Sequence, residues 1–366
     1  MQRSDLVSRS GMRGMLAHEL GASHTGGSVT DTRLEISGLT FDEVVGALDP
    51  PAGEVRALRA QYRRLMRGHS LDEPDLRLRL PALACQTEGD ELIKLVLRLE
   101  DHLEIESVIV PMQHAQRHWK SLCVSSQVGC RHGCHFCQTA TLGLIRNLSA
   151  GEIIGQLVRA HQQLGEPVRT VVFMGMGEPL DNLPAVIQSV RVMTDRSGLG
   201  LSKSKITIST VGIVDGIRQV ASLGWRRLNL GISLNAPNDT VRAKLMPIAR
   251  REPMAALVDA MRAYPLRRNQ HFMVEYVLVP GVNDGREHAV ELANTLASVR
   301  CMVNVIPHNP RPQARWSAPE EAEVLRFLGW LKDAGQPCRR RVTRGREQWA
   351  ACGQLGARRP TSVTES

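Results

Sequence analysis

Residues 130–137 read CRHGCHFC, placing cysteines at 130, 134 and 137 with Gly129 just before them and Gly133 between them. Three thiolates in one short loop are one donor short of a closed tetrahedral site, so a group held there keeps a position free for another ligand. A cubane iron–sulfur cluster needs one thiolate per iron; Cys130, Cys134 and Cys137 would leave one iron open. The competing reading is a zinc site completed by a distant ligand, with His132 or His135 available to supply it. Structural zinc sites are typically built from paired Cys-x-x-Cys or Cys-x-x-His units, and no second unit follows here. The two glycines let the backbone turn tightly around either group.

Composition bounds the setting in which such a loop works. The chain has 366 residues, 42% hydrophobic and 23% charged, enough for a sizeable core in one large domain with an appendage. No apolar run reaches the roughly 18 residues of a membrane span, and the first residues lack the apolar centre of a signal peptide, so a cytoplasmic location is expected. Eight unevenly spaced cysteines do not make a secreted disulfide framework, and clustered cysteines in a reducing compartment point to metal or catalysis. The net charge of +9 favours a polyanionic partner, nucleic acid first. Arginine concentrates in RRRVTRGR (339–346) and at Arg358-Arg359, with Glu347 the single acid among residues 339–359. A P-loop is excluded, because neither GMGEP nor GLGLS carries its residues.

The elements that must position the cysteine loop follow from periodicity. Residues 1–30 are polar and rich in Gly, Ser and Thr and are expected to be disordered, with Met12 and Met15 as alternative starts. Residues 34–90 read as helical and basic, ALRAQYRRLMRG (57–68) being the clearest amphipathic piece, and residues 92–110 as two strands around a polar turn. Strand-like runs then recur at 122–127, 171–177, 206–212, 228–234, 272–280 and 302–307, mostly separated by amphipathic helices. Ser149 with Glu152 three residues on is a capping box that starts one of these helices. The alternation predicts an α/β fold, a parallel sheet curled by right-handed crossovers into a partial (βα)6 barrel. The cysteine loop follows the first strand, at the end of the barrel where such enzymes place their chemistry. The expected organisation is a small N-terminal α+β accessory domain over 31–110, the barrel over 111–346 and a C-terminal tail over 347–366.

A CxxxCxxC loop after the first strand of a partial barrel resembles the radical S-adenosylmethionine superfamily. SLCVSSQVGC, RNLSAGEIIGQ, FMGMGEPLDNL, ISLNAPND and ACGQL, in that order, resemble more specifically the adenosine C2-methyltransferases of ribosomal and transfer RNA, the RlmN and Cfr group. The match spans roughly residues 100–356. It implies a [4Fe-4S] cluster on Cys130, Cys134 and Cys137 whose open iron chelates the methionine moiety of S-adenosylmethionine and cleaves it to a 5′-deoxyadenosyl radical. Two S-adenosylmethionine molecules serve each turnover. One methylates Cys352 in ACGQL; the other yields the radical that removes hydrogen from that methyl group, and the resulting thio-methylene radical adds to adenine. The resemblance assigns Glu106 in IESVIVP as the base for the ring proton. It makes Cys123, seven residues before Cys130, the thiol that resolves the covalent adduct through a transient disulfide.

For the cofactor pocket the resemblance implies Gly177 and Glu178, Ser209, the Ser233-Leu234-Asn235 strand end and Asn309. Neutral donors and acceptors of this kind suit ribose hydroxyls and adenine edges. Taken singly, each residue has a plainer reading: Cys123 a small buried hydrophobe, Glu106 an exposed strand residue, Cys352 an idle tail thiol, Ser209 a turn residue, Asn309 a loop residue before proline. Trp349 is either a base-stacking side chain or a packing anchor for the tail. Cys85, Cys301 and Cys338 match no motif position. The chain departs from the family at Asn235, where histidine is common, and in the aromatic helical motifs that residues 31–90 lack. With only 4% aromatic residues, arginine stacking and phosphate contacts are expected to dominate RNA binding.

The expected function is methylation of carbon 2 of an unpaired adenosine in ribosomal or transfer RNA by a monomer drawing electrons from a donor such as flavodoxin. Methylation at carbon 8 uses the same chemistry and stays open beside it. So does a metal-stabilised RNA-binding protein without turnover. A radical enzyme for a protein or small molecule would not need Cys352 and Cys123 together.

Overall fold

In the computed structural model, which describes residues 33–71, 75–89, 92–311 and 314–356, ten strands form one sheet in which each pairs with the next in chain order. They are β1 (Ala82–Gly89), β2 (Leu92–Arg98), β3 (Glu104–His114), β4 (Arg117–Cys123), β5 (Thr170–Phe173), β6 (Ile206–Thr210), β7 (Asn229–Ser233), β8 (Phe272–Leu278), β9 (Cys301–Pro307) and β10 (Cys338–Arg340). The first four pair antiparallel. From β4 onward every pairing is parallel. The six expected barrel strands are therefore present as β4 to β9, and β10 extends them by a short run, CRR, that carries too little apolar pattern to be read as a strand. The expected disorder of residues 1–30 lies outside the described residues, as do residues 357–366 of the tail.

Nine helices precede or cross between these strands among the described residues: α1 (Phe41–Leu48), α2 (Val55–Met66), α3 (Ala150–Leu164), α4 (Leu183–Thr194), α5 (Val214–Ser222), α6 (Asp239–Leu245), α7 (Met254–Ala263), α8 (Arg286–Leu296) and α9 (Glu321–Asp333). The capping box at the start of α3 is formed, Ser149 accepting from the Glu152 amide and Glu152 accepting from the Ser149 amide. Thr40 and Glu43 repeat the device on α1. Along α3, Ile153, Ile154, Leu157 and Val158 are fully buried on one face in the hydrophobic core, each contributing about 1.5–3 kcal/mol of burial.

Two local differences from the sequence reading have clear causes. β1 falls in the region read as helical. Its sequence, ALACQTEG, has no β-branched residue but one threonine, and antiparallel pairing with β2 over its whole length imposes the extended state. The first barrel strand also begins earlier than the 122–127 run. Its first half, RHWK, is polar because it is exposed on the antiparallel ribbon with β3, and the hydrogen-bonded strand ends at Cys123. β3 runs unbroken through residue 110, so the sheet is continuous where an accessory boundary was expected. No helix among the described residues is long and apolar enough to cross a membrane.

Beyond β4 the chain forms a short antiparallel pair, Gln127–Gly129 with Leu144–Asn147, which brackets the cysteine loop like the neck of a purse. Gly129 adopts a φ of +77°, and a Cβ there would fall inside the van der Waals sphere of the Gly143 carbonyl oxygen. Gly129→Ala should therefore lower stability by about 3 kcal/mol, read as a fall in thermal midpoint. Gly165→Ala, at a left-handed helix end with open space around it, should cost about 1 kcal/mol.

Candidate active site

The cysteine loop is tied to its surroundings by polar contacts on both sides. The Cys130 amide donates to the Gly143 carbonyl at 2.7 Å and the Cys137 amide to the Cys134 carbonyl at 3.0 Å. α6 holds the middle: its Leu245 carbonyl accepts from the His135 amide at 2.9 Å, and its Lys244 carbonyl lies 2.9 Å from His135 Nδ1. On the other side, Asp181 takes His132 Nε2 at 2.9 Å and Arg131 Nε at 3.1 Å. Both histidines offered as a fourth zinc ligand thus have a ring nitrogen engaged in holding the loop. Among the described residues no three Cys, His, Asp or Glu side chains converge as a mononuclear ion site would require.

Cys130, Cys134 and Cys137 instead line one wall of a cavity of about 160 Å³ at the C-terminal ends of the strands. Gly177, Glu178, Ser209, Ser233, Asn235 and Asn309 line the same cavity. Leu234 does not; it is fully buried in the hydrophobic core, and its backbone amide donates to the Glu275 carbonyl at 3.1 Å. Glu178 is nearly buried, and burial pushes its carboxyl above the usual range. Two backbone amides oppose that: Val211 donates to Oε2 at 2.8 Å and Leu180 to Oε1 at 3.0 Å. Asn235 sits at a φ of +60°, a region asparagine tolerates better than most residues. Its Oδ1 accepts from the Val277 amide at 2.8 Å, so much of this side chain's capacity is spent on the fold.

A second, wider cavity of about 730 Å³ lies beside the first, inside the curved sheet. Cys123 faces it, as do Arg339, Arg340, Arg341 and Arg344 from the arginine run. Burial pushes the Cys123 thiol up to about 12, Cys352 adds to the rise, and Arg341 pulls against it. The two cavities share Met174, Glu275, Ile306, Asn309, Arg341, Cys352 and Leu355. Cys352 therefore stands at their junction, accessible from both.

The segment around Cys352 has no regular secondary structure, so its backbone groups find partners elsewhere. The Gly353 carbonyl accepts from the Gln138 amide at 2.6 Å and the Leu355 carbonyl from Thr139 Oγ1 at 2.7 Å. Asn309 Nδ2 donates to the Cys352 carbonyl at 3.3 Å, while its Oδ1 accepts from Arg346 at 3.2 Å. The Gly356 amide donates to Glu106 Oε2 at 2.9 Å. Glu106, on β3, is buried rather than exposed, and burial raises its carboxyl pKa against the pull of Lys94 and the Gly356 amide. Cys85, Cys301 and Cys338 lie away from both cavities.

Several residues at the site carried no usable sequence signal. Arg341 was one arginine in a basic run, yet it turns inward, Nη1 standing 3.7 Å from Glu275 Oε2. Glu275 also accepts from Asn304 at 2.8 Å, and Asn304 from Arg339 at 3.2 Å, a polar chain inside the sheet. Lys94, between the apolar pairs Leu92-Ile93 and Leu95-Val96, is buried against Glu106. In LIKLVLR position 94 shares its face with Leu92, Val96 and the exposed Arg98, the more polar of the two faces, so the sequence pattern gives no sign of its burial.

This fold and this loop define a radical S-adenosylmethionine enzyme: a parallel barrel with three cysteines after its first strand and a buried carboxylate after its second. The Radical SAM superfamily profile matches residues 124–293. A probable dual-specificity RNA methyltransferase RlmN 1 of Protochlamydia amoebophila is 41% identical over 76% of this chain and 76% of its own length. The dual-specificity RNA methyltransferase RlmN of Syntrophotalea carbinolica is 38% identical over 89% and 90%, and that of Alkalilimnicola ehrlichii 45% over 76% and 77%. A crystal structure of a radical SAM methyltransferase from Sphaerobacter thermophilus superposes with a TM-score of 0.79 at 34% identity, over 88% of this chain and 99% of that one. The chain belongs to the RlmN family of radical S-adenosylmethionine RNA methyltransferases.

The family implies a [4Fe-4S] cluster and S-adenosylmethionine, and the residues present fit such a group. Burial lifts Cys130 to about 12 and raises Cys134 and Cys137 too, so the thiols stay neutral until a cationic centre makes them thiolates. Anaerobic reconstitution with iron and sulfide should give the wild type a broad visible absorption. Cys130→Ser, Cys134→Ser or Cys137→Ser should lose most of it, and Cys301→Ser should keep it. Zinc binding without iron–sulfur colour would contradict the expectation.

Proposed function

We propose that this enzyme methylates carbon 2 of an unpaired adenosine in ribosomal or transfer RNA, with Cys352 as the methyl carrier. The observation that carries the reading is the position of Cys352 at the junction of the two cavities. A carrier sulfur must meet the methyl donor on one side and the RNA base on the other. Cys130, Cys134 and Cys137 are the three cluster ligands in this reading, and when bound the cluster supplies the single electron that cleaves the sulfonium of S-adenosylmethionine.

The chain's own groups do the rest. Glu178, held between two backbone amides, faces the ammonium of the methionine moiety in this reading. Gly177, Ser209, Ser233, the Leu234 backbone, Asn235 and Asn309 complete the S-adenosylmethionine pocket, used by two molecules per turnover. Once the Cys352 methylene is joined to adenine and the unpaired electron of the adduct has passed to a one-electron acceptor, Glu106 takes the proton from carbon 2 and the electron pair of that bond stays in the ring. The Cys123 thiol then gives up its proton as its sulfur attacks the Cys352 sulfur: an S–S bond forms, the S–C bond breaks, and the departing carbon keeps the pair and gains a proton to become the methyl group. All eight cysteines are free thiols here, and the disulfide of this step is a transient that an external reductant reopens.

Arg339, Arg340 and Arg344 around the wider cavity, with the basic face of α2 in residues 31–110, supply phosphate and stacking contacts in place of aromatic side chains. A monomer reduced by a one-electron donor such as flavodoxin completes the proposal.

Two measurements test it. Total RNA from cells with and without the gene, digested and weighed, should show 2-methyladenosine lost from ribosomal or transfer RNA; loss of 8-methyladenosine alone would overturn the choice of carbon. Cys123→Ala should trap a covalent protein–RNA adduct, and Cys352→Ala should abolish adduct and product together. An active Cys352→Ala enzyme would sink the mechanism.

A further inference from the structure

Lys94 has no role in the chemistry described so far. It lies on β2 and is 5% exposed; Glu106, on the neighbouring β3, is 6% exposed. The Lys94 ammonium stands 3.0 Å from Glu106 Oε2. Lysine is almost never buried to this degree without a partner, and removing one member of such a pair leaves the other charge uncompensated.

The pair does more than neutralise itself. Lys94 Nζ also donates to the Trp349 carbonyl at 3.0 Å, and Glu106 Oε2 also accepts from the Gly356 amide at 2.9 Å. Trp349 and Gly356 flank Cys352, so one ion pair grips the carrier loop on both sides of its thiol. Trp349 adopts a φ of +53°, an unusual backbone for a bulky residue, at the residue whose carbonyl meets the ammonium.

The groups facing Glu106 are few. Lys94 comes from the adjacent strand, Glu104 lies two residues away on its own strand, and the tail offers the Gly356 backbone amide. On β4, on the other side, Cys123 pairs with Val108, two residues along from Glu106. Lys94 is thus the cation that opposes both burial and the repulsion of Glu104.

We infer that Lys94 is a positioning residue for the proton-transfer step, keeping the Glu106 carboxylate ionised and aimed at the loop that presents the adduct. The inference rests on Glu106 being the base. The step itself is one proton transfer: the bond from carbon 2 to hydrogen breaks, its electron pair remains in the ring, and the proton passes to a Glu106 oxygen. A Glu106 that has lost Lys94 holds its proton to higher pH, so the defect must shrink as pH rises.

The test uses the full-length, reconstituted holoenzyme with S-adenosylmethionine, a reductant and transfer RNA from cells lacking the gene. Formation and decay of the covalent adduct are followed on denaturing gels from about pH 7 to about pH 9. Lys94→Met should build the adduct and release it about tenfold more slowly near neutral pH, one unit of displaced ionisation, with the deficit closing toward the alkaline end. Lys94→Gln keeps a donor for the Trp349 carbonyl but no charge. It carries the same expectation, so a folding failure of one variant leaves the test intact. Lys94→Arg should recover most of the rate.

Three results would overturn the assignment: decay at the wild-type rate, a slowing by the same factor at every pH, or a fully cluster-loaded variant that never forms adduct. Glu106→Gln separates this from the reading beneath it. It should hold the adduct at every pH, and its decay at the wild-type rate would remove Glu106 as the base whatever Lys94 does.

Discussion

The seating of residues 349–356 is the contact on which the arrangement depends. A short segment with no helix or strand of its own is held by donors and acceptors from β2, β3, the turn after the cysteine loop and the loop after β9. Hydrogen bonds of this kind are each worth about 1 kcal/mol net, so the loop is placed without being locked. Without it Cys352 would be a thiol on a tail. With it, the same thiol closes the narrow cavity and opens onto the wide one.

The charges gathered around that loop are all costly to bury. Glu178, Glu275, Arg341, Lys94 and Glu106 each lose hydration that only close partners replace. Their arrangement is graded. Glu178 is satisfied by backbone amides next to the cysteines, Glu275 by Asn304 and Arg341 inside the sheet, and Glu106 by Lys94 and the tail. Each carboxylate has a different kind of partner.

How much of this was legible beforehand divides along physical lines. The six parallel strands were readable because apolar runs of this length alternate with helical periodicity, and the start of α3 because Ser149 and Glu152 spell a capping box. Cys130, Cys134, Cys137, Glu178 and Asn309 were legible as members of dense motifs, and the structure gathers them on one cavity. β1 was missed because its strand character comes from its partner rather than from its own residues. Arg341 and Lys94 were missed for a related reason. A basic residue in a charged run, or between apolar pairs in a strand, acquires meaning only when the fold decides what stands opposite it. Leu234 shows the reverse case, a motif residue whose side chain the fold spends on the core.

The unbroken pairing of β1, β2 and β3 onto β4 bears on how such an enzyme can change. The strand bearing Glu106 and the strand ending in Cys123 are hydrogen-bonded neighbours, and both are joined without a hinge to the part of the chain expected to greet the RNA. In a sheet, a shift of one residue sends every side chain to the opposite face, so a slip in the outer strands would carry Glu106 away from Lys94 and the Gly356 amide. An exchange of β1 and β2 would have to keep the register that sets Glu106 on β3 beside Lys94. New substrate preferences have to arise in side chains and loops laid over a frame whose register is inherited whole.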